Sequence, residues 1–184
     1  MIREDIFGNY PQISHTSYID DTAILIGNIV VGENVYIGPN VVIRADEIDD
    51  NYRVGKIIIK DRAVIYDGSI INTIGASQIT IGEGAIISNG VIIKGECHVG
   101  NFTILNVKSI IVNSHIGNNC YIGIGTALEG IKMPDNTMVE SGVFLKEDNI
   151  EIFLKPLDIG KKGFAEKFNS LGKIVGNPYR LLGY

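Results

Sequence analysis

Residues 81–111 read IGEGAIISNGVIIKGECHVGNFTILNVKSII, and an aliphatic residue recurs at every sixth position of this stretch. These positions are Ile81, Ile87, Ile93, Val99, Leu105 and Ile111. An α-helix repeats every 3.6 residues and a strand every two, so neither element has a period of six. The stretch predicts a parallel β-helix, in which three short strands and their turns form each coil.

The same register extends over most of the chain. Working outward, aliphatic residues keep the six-residue step at Ile19, Leu25, Val31, Ile37 and Ile43, and the register resumes at Ile59, Ile65 and Ile71. After a one-residue deletion it continues at Ile116, Ile122 and Leu128 and then fades through Val139 and Leu145. We expect these side chains to point inward and stack coil on coil, which explains why 34 of the 184 residues are isoleucine. The fifth position of each hexad favours small or β-branched residues, such as Ala63 and Thr103.

The hexads divide the chain into two predicted parts. Residues 1–147 form an all-β solenoid with an N-terminal cap, and residues 148–184 form a short helix and tail that pack on it. The helix is predicted around residues 164–168, where apolar residues stand four apart. Polar insertions at residues 46–53 and 75–78 interrupt the register and must loop outward, and such loops are common places for functional sites. The first insertion adds either four or ten residues.

Composition excludes several classes of protein. The formal net charge of −5 argues against a nucleic-acid or membrane partner, because both are anionic. Two cysteines do not make a disulfide framework. The N-terminus lacks the cationic and apolar run of a signal peptide, and no apolar stretch approaches about 18 residues. We therefore expect a cytoplasmic protein.

Two motifs carry a family resemblance. Ile43-Arg44-Ala45-Asp46-Glu47 precedes the first insertion, and Asp61-Arg62-Ala63-Val64-Ile65-Tyr66-Asp67-Gly68 follows it. With the hexads from residue 99 to residue 120, these motifs resemble those of the γ-class carbonic anhydrase-like family, over about residues 13–143. The resemblance implies a left-handed parallel β-helix, a homotrimer with three-fold symmetry, and a metal site between subunits.

The resemblance places the three zinc histidines of the family at Asn72, Asn89 and Lys94. Catalytic zinc takes imidazoles, thiolates or carboxylates, whereas an amide is a poor ligand and an ammonium repels the metal. We therefore expect neither bound zinc nor zinc-dependent CO2 hydration. Together with Tyr66, these residues are predicted to line a cleft between subunits that holds a small anion such as bicarbonate, a carboxylate or a phosphate.

Arg44, Asp46 and Asp61 are interpreted as an Arg–carboxylate network that fixes the loop and the trimer contact, with a substrate-orienting network as the alternative. Glu47 matches a proton-transfer residue of some family members, but without a metal-bound water a solvated loop carboxylate is the simpler interpretation.

The chain has three histidines, His15, His98 and His115. We expect His15 to belong to the N-terminal cap, and His98 and His115 to be lone surface residues. None of the three histidines has ligand spacing with another. Cys97 and Cys120 stand at the small inward position of their hexads and are expected to fill the core.

Three functions stay open. The first is a metal-free, γ-carbonic anhydrase-like homotrimer that binds a small anion or metabolite or serves as a scaffold. The second is a CoA-dependent acyltransferase using acetyl-CoA, with His98 or His115 as general base at an inter-subunit cleft; residues 176–180 resemble an element near the end of such enzymes. The third is an active metal-dependent carbonic anhydrase with a non-standard site. Whether the protein is an enzyme is left open.

Overall fold

The computed structural model describes residues 1–162, which form a parallel β-solenoid of about seven coils. Each coil contributes one short strand to each of three parallel sheets, called here faces A, B and C. Face A contains Ile2–Arg3, Ile24–Gly27, Val42–Ala45, Ile70–Asn72, Ile92–Lys94, Ile110–Val112, Ala127–Glu129 and Phe144–Leu145. Face B contains Gln12–Ile13, Ile29–Val31, Lys56–Ile59, Gln78–Ile81, Cys97–Val99, His115–Ile116 and Lys132–Met133. Face C contains Tyr18–Ile19, Tyr36–Ile37, Val64–Ile65, Ile86–Ile87, Ile104–Leu105, Tyr121–Ile122, Thr137–Val139 and, running antiparallel, Lys155–Pro156.

The last described residues depart from the hexad pattern but stay against the solenoid, since Ile150 and Leu154 pack on its core. A 3₁₀ turn at Glu147–Asn149 leads into short helices at Ile150–Phe153 and Ile159–Lys162. The helix predicted around residues 164–168 and the strand and turn predicted at residues 172–180 lie outside the described residues. No helix within residues 1–162 is long and apolar enough to cross a lipid bilayer.

The predicted hexad register is confirmed by the pairing of the strands. On face A, Ile43, Ile71, Ile93 and Ile111 are direct partners in successive coils. All four side chains are fully buried. Because the side chains of a strand alternate between its two sides, this register places their neighbours on the outer surface.

The corners between faces explain the turn residues of each hexad. Successive coils adopt positive φ at the corner between faces B and C, at residues that include Arg62, Phe102 and Asn119. The residue just before each positive-φ position can bind the preceding coil through its side-chain oxygen. One example is Asn118, whose Oδ1 accepts the backbone N–H of Asn101 at 2.8 Å. Coils also approach closely here, and a Cβ added to Gly100 would lie 2.3 Å from the carbonyl oxygen of Gly117.

Both insertions leave from the corner between faces A and B. Sixteen residues separate Ile43 from Ile59 where the hexad needs six, so the structure decides for ten extra residues. This first loop is closed by an antiparallel bridge between Ile48 and Val54. The second loop packs on it, because a Cβ on Gly75 would lie 2.7 Å from that of Asp49.

Candidate functional site

The outer edge of face A brings together three of the predicted residues. Asn72 and Lys94 end their strands, and Arg44 is the last residue but one of the strand before them. The register pairs Asn72 with Arg44 on one side and Lys94 on the other. Neighbouring strands lie about 4.8 Å apart, so these side chains stand side by side on the outer surface. We call this row the face A ladder.

Arg44 and Asn72 are each held by a residue of the first loop. Arg44 donates from Nε to Asp46 Oδ1 at 2.9 Å and from Nη2 to Asp46 Oδ2 at 3.0 Å. This bidentate contact raises the pKa of Arg44, with smaller contributions from the charges of Asp46 and Glu47. Asn72 donates from Nδ2 to Glu47 Oε2 at 3.1 Å and to its neighbour's carbonyl, Thr73 O, at 3.2 Å.

Lys94 differs from its two neighbours in the ladder. It is exposed, and no carboxylate of residues 1–162 lies within ion-pair distance of its ammonium group. Further along the same row, Lys146 lies 3.8 Å from Glu129. The ladder therefore holds one cation neutralised by Asp46 and one cation without a carboxylate partner in the described part of the chain.

Asn89 and Tyr66 lie at the opposite edge of face A from the ladder. Asn89 is exposed in the turn between faces C and A. Tyr66 is half-buried near the same corner, and burial, followed by the charge of Asp67, raises the pKa of its hydroxyl. One chain therefore does not assemble the predicted cleft, and the cleft stays a prediction that requires a second copy.

Asp61 lies at the corner between faces B and C, away from Arg44 and Asp46. Its Oδ1 accepts the backbone N–H of Glu33 at 2.8 Å and so binds the coil below. Within one chain the structure thus joins Arg44 to Asp46 but gives Asp61 a turn-stabilising contact. A network that includes all three residues remains a prediction about contacts between copies.

The residues at the face A ladder do not fit a zinc ion. Asn72 offers an amide whose N–H groups are already donated, and Lys94 offers an ammonium. Within residues 1–162 no group of three histidine, cysteine, aspartate or glutamate side chains is arranged to hold a metal.

A second polar feature, which the sequence did not predict, is a groove of about 530 Å³ on face B. Its lining combines the outer row of face B with the corner between faces A and B. The lining residues are Gln78, Thr80, Glu96, Cys97, His98, Asn113, Ser114, His115, Gly130, Ile131 and Lys132. We call it the face B groove.

His98 and His115 form a stacked pair in this groove. Their rings lie 4.4 Å apart between centroids and 12° from parallel. Partial burial, and then the charges of His115 and Lys60, lower the pKa of His98. The expectation of two lone histidines was wrong because each directly precedes an inward residue of face B, Val99 or Ile116, and the register makes His98 and His115 direct partners.

The other predicted residues occupy simpler positions. Cys97 and Cys120 are buried, as predicted, and burial raises the pKa of both thiols. Cys97 Sγ contacts the carbonyl oxygen of Lys94 at 3.3 Å. His15 is exposed in the turn that precedes the strand Tyr18–Ile19, far along the solenoid from the groove.

Comparison with known sequences gives relatives of several kinds. The pattern described as "Bacterial transferase hexapeptide (six repeats)" matches residues 10–45. The carboxysome assembly protein CcmM of Synechocystis is 21% identical over 172 residues, 91% of this chain and 25% of that protein. A carbonic anhydrase of Methanosarcina thermophila is 25% identical over 152 residues, 72% and 59% of the two chains. The carnitine operon protein CaiE of Escherichia coli is 30% identical over 109 residues, 59% and 52% of the two chains.

The chain spans between a quarter and about three fifths of the length of these relatives. Among solved structures, a Bacillus cereus protein described as a candidate acetyltransferase superposes with a TM-score of 0.85 at 24% identity, over 99% of this chain and 98% of the other. A hexapeptide transferase family protein from Anaplasma phagocytophilum gives 0.83 at 20% identity, over 97% and 98%. At these identities the superpositions show the fold alone. From the hexads, the three-sided solenoid and the sequence matches together, the chain belongs to the hexapeptide-repeat proteins, and its homologues include γ-carbonic anhydrase-like proteins.

Proposed function

We propose that the protein is a metal-free, γ-carbonic anhydrase-like homotrimer that binds a small anion at the face A ladder. The observation that carries this proposal is the exposed ammonium of Lys94, two strands from the guanidinium of Arg44. Their Cα atoms are separated by about twice the 4.8 Å strand spacing, which two long side chains span easily. An oxyanion between them accepts charge-assisted hydrogen bonds from both.

The carboxylates around the ladder leave some of its hydrogen-bond donors unused. Arg44 uses Nε and one hydrogen of Nη2 on Asp46, and its remaining N–H groups stay available as donors. Glu47 is engaged by Asn72. An added anion therefore finds unused donors on both Lys94 and Arg44, although the charges of Asp46 and Glu47 also act on Arg44.

The homotrimer is proposed because the predicted cleft is incomplete in one chain. Asn89 and Tyr66 lie at the far edge of face A, so a second copy has to supply them. A row of apolar side chains runs beside the ladder on the outside of face A, and Ile70, Ile110 and Phe144 are 41%, 40% and 50% exposed. A contiguous apolar row of this kind is typical of a surface that a partner covers.

Calorimetric titration with bicarbonate and with acetate tests the anion site. We expect saturable binding by the wild-type protein and at least a tenfold weaker dissociation constant for Lys94→Met, because a charge-assisted hydrogen bond contributes about 1.5–3 kcal/mol. Lys146→Met is the matched control, since Lys146 stands in the same row but is paired with Glu129. Equal binding by Lys94→Met and the wild type would refute this site.

Two further measurements test the rest of the proposal. Sedimentation is expected to give three times the 20.0 kDa chain mass, and a monomer would contradict the proposed cleft. Metal analysis with a CO2 hydration assay is expected to find neither zinc nor activity. Stoichiometric zinc with activity would support the non-standard metal site instead.

One observation favours the acyltransferase alternative. His98 has a lowered pKa and lines a groove, so near pH 7 it offers the neutral imidazole that a general base requires. Thermal unfolding with acetyl-CoA separates the two functions, because a ligand of the folded state raises the melting temperature. No shift at millimolar acetyl-CoA would exclude the transferase, and a shift with acyl transfer that His98→Gln abolishes would replace the anion-binding proposal.

A further inference from the structure

The face B groove presents a continuous row of polar side chains on adjacent strands. Thr80, His98, His115 and Lys132 are direct partners in four successive coils. Thr80 is nearly buried, His98 is half-buried, and His115 and Lys132 are exposed. Solvent exposure therefore increases along the row, which ends at the ammonium group of Lys132.

Hydrogen bonds around the row leave donors facing the groove. Asn113 Oδ1 accepts the backbone N–H of Glu96 at 3.1 Å, so its amide nitrogen is left on the groove side. Gln78 Nε2 donates to Thr80 Oγ1 at 3.2 Å, so the hydroxyl proton of Thr80 remains to be donated elsewhere. An amide, a hydroxyl, two imidazoles and an ammonium make the lining rich in donors.

The charges around the histidine pair are mostly positive when an imidazole is protonated. Lys132 flanks His115 in the register, and the charge of Lys60 reaches His98. Two carboxylates lie near the pair. Glu96 lines the groove, and Asp135 is bound by the backbone N–H and side-chain amide of Asn118 at 2.8 and 3.1 Å.

We propose that the face B groove binds a small oxyanion, a carboxylate or a phosphate, between the His98–His115 pair and Lys132, with one imidazole protonated. Two imidazolium rings at a centroid distance of 4.4 Å repel one another, so the pair carries at most one proton when the groove is empty. An anion against the pair offsets this charge and the charge of Lys132. Binding therefore takes up a proton, and affinity rises as pH falls.

A stack of like side chains also occurs in solenoids simply because successive coils repeat. A purely structural stack, however, needs no ligand, and it predicts no saturable response of the two rings to an anion. The concave shape and the donor-rich wall distinguish this row from an ordinary outer row such as that of Ile70, Ile92 and Ile110 on face A, which carries no polar groups.

Histidine ring signals in NMR spectra of the full chain test the proposal, because the sequence contains only three histidines. Inorganic phosphate and acetate are titrated separately at pH 6, which distinguishes the two oxyanion classes. We expect saturable shifts of the His98 and His115 signals with at least one of them, and no shift of His15. The dissociation constant is expected to rise as the pH is raised, toward a limit of about tenfold per pH unit once both rings are neutral.

Lys132→Met is expected to weaken the dissociation constant at least tenfold, and its exposed position makes misfolding no concern. His115→Gln is expected to abolish the response of His98. Lys146→Met is the matched control and is expected to bind as the wild type does. Absence of saturation at 50 mM anion, equal shifts of His15, or equal acetate affinity at pH 6 and pH 8 would each overturn the proposal. For phosphate, the comparison between the two pH values is made after correction for the second ionisation of the ligand itself. These signals report the face B groove alone. The proposal can therefore be tested even if no anion binds at the face A ladder.

Discussion

Replacing Ile111 with alanine, and separately its neighbour Ile110, tests the register on which every site assignment depends. The two residues lie in the strand Ile110–Val112 and point to opposite sides of face A. Ile111 is fully buried between Ile93 and Leu128 of the adjacent coils, whereas Ile110 is 40% exposed. The same chemical change is thus made one residue apart.

The expected losses follow from burial. Ile111→Ala removes three carbon groups at about 0.8 kcal/mol each, and the cavity left in a stacked core brings the total to about 3–4 kcal/mol. Ile110→Ala removes the same groups from a half-exposed position and leaves no closed cavity. Its loss is expected to stay below about 1.5 kcal/mol.

Urea unfolding monitored by circular dichroism measures both changes at the same protein concentration. Repeating the series on dilution adds a second readout, because the Ile110→Ala loss grows on dilution if face A is where copies meet. A larger loss for Ile110→Ala than for Ile111→Ala at every concentration would refute the register, since a slip of one residue exchanges the two sides of the sheet.

Three more predictions concern single positions. Gly100→Ala is expected to lower the unfolding free energy by about 1–3 kcal/mol, because the new Cβ would meet the Gly117 carbonyl oxygen at 2.3 Å; an unchanged urea midpoint would count against the close coil contact. Burial lowers the pKa of His98 below its ordinary value of 6.5, so the unfolded chain binds more protons below about pH 6.5; stability is therefore complete above that pH and falls toward pH 5, and His98→Gln should flatten this slope in melts followed across the range. Burial raises the pKa of the Cys97 and Cys120 thiols, so both should react with a thiol reagent at least about tenfold more slowly in the native protein than in urea; equal rates would contradict their burial.

The hexads predicted the solenoid because each aliphatic position has one physical role. Leu25, Ile43 and Ile71 stack on one another, and no other period in the sequence offers them a common interior. The two insertions were equally visible as polar interruptions. Sequence alone did not decide whether the first adds four or ten residues, since either number restores a six-residue step, and only the pairing of Ile59 with Val31 resolves it.

The site was harder to predict because motifs give an order along the chain and not the edge of a face. The sequence groups Asn72 with Lys94, and pairing on adjacent strands places the two side by side within one chain. Asn89 belongs to the same predicted cleft, but five residues before Lys94 the chain is still turning into face A from the other side, so that part of the cleft stays a prediction about two copies. The family resemblance joins Asp61 to Arg44, whereas within one chain Asp61 binds the backbone of the neighbouring coil.

The corner between faces A and B adjoins both the face A ladder and the face B groove. Between faces A and B, the step from one inward residue to the next is sixteen residues in the coil of Ile43, ten in the coil of Ile71, six in that of Ile93, and five in those of Ile111 and Leu128. From the coil of Ile43 onward the corner therefore shortens along the axis, while the coil of Leu25 before it has a step of six. The first loop holds Arg44 and Asn72 through Asp46 and Glu47.

In the coils where this corner is short, it covers less of face B, and the outer surface of face B is exposed. The short corners follow the second loop, which leads into Gln78, and the face B groove lies in the space beside them. His115 stands over His98 because each residue directly precedes an inward residue, Ile116 or Val99, and these two inward residues pair in the register. The same register holds in coils whose corner is longer. Restoring the missing residue, by inserting a glycine between Asn113 and Ser114, is therefore expected to fill part of the groove while the two rings stay stacked. Loss of the anion response, with the mutual pH dependence of the two histidine signals retained, would show that corner length builds this site, whereas an unchanged response would show that it does not.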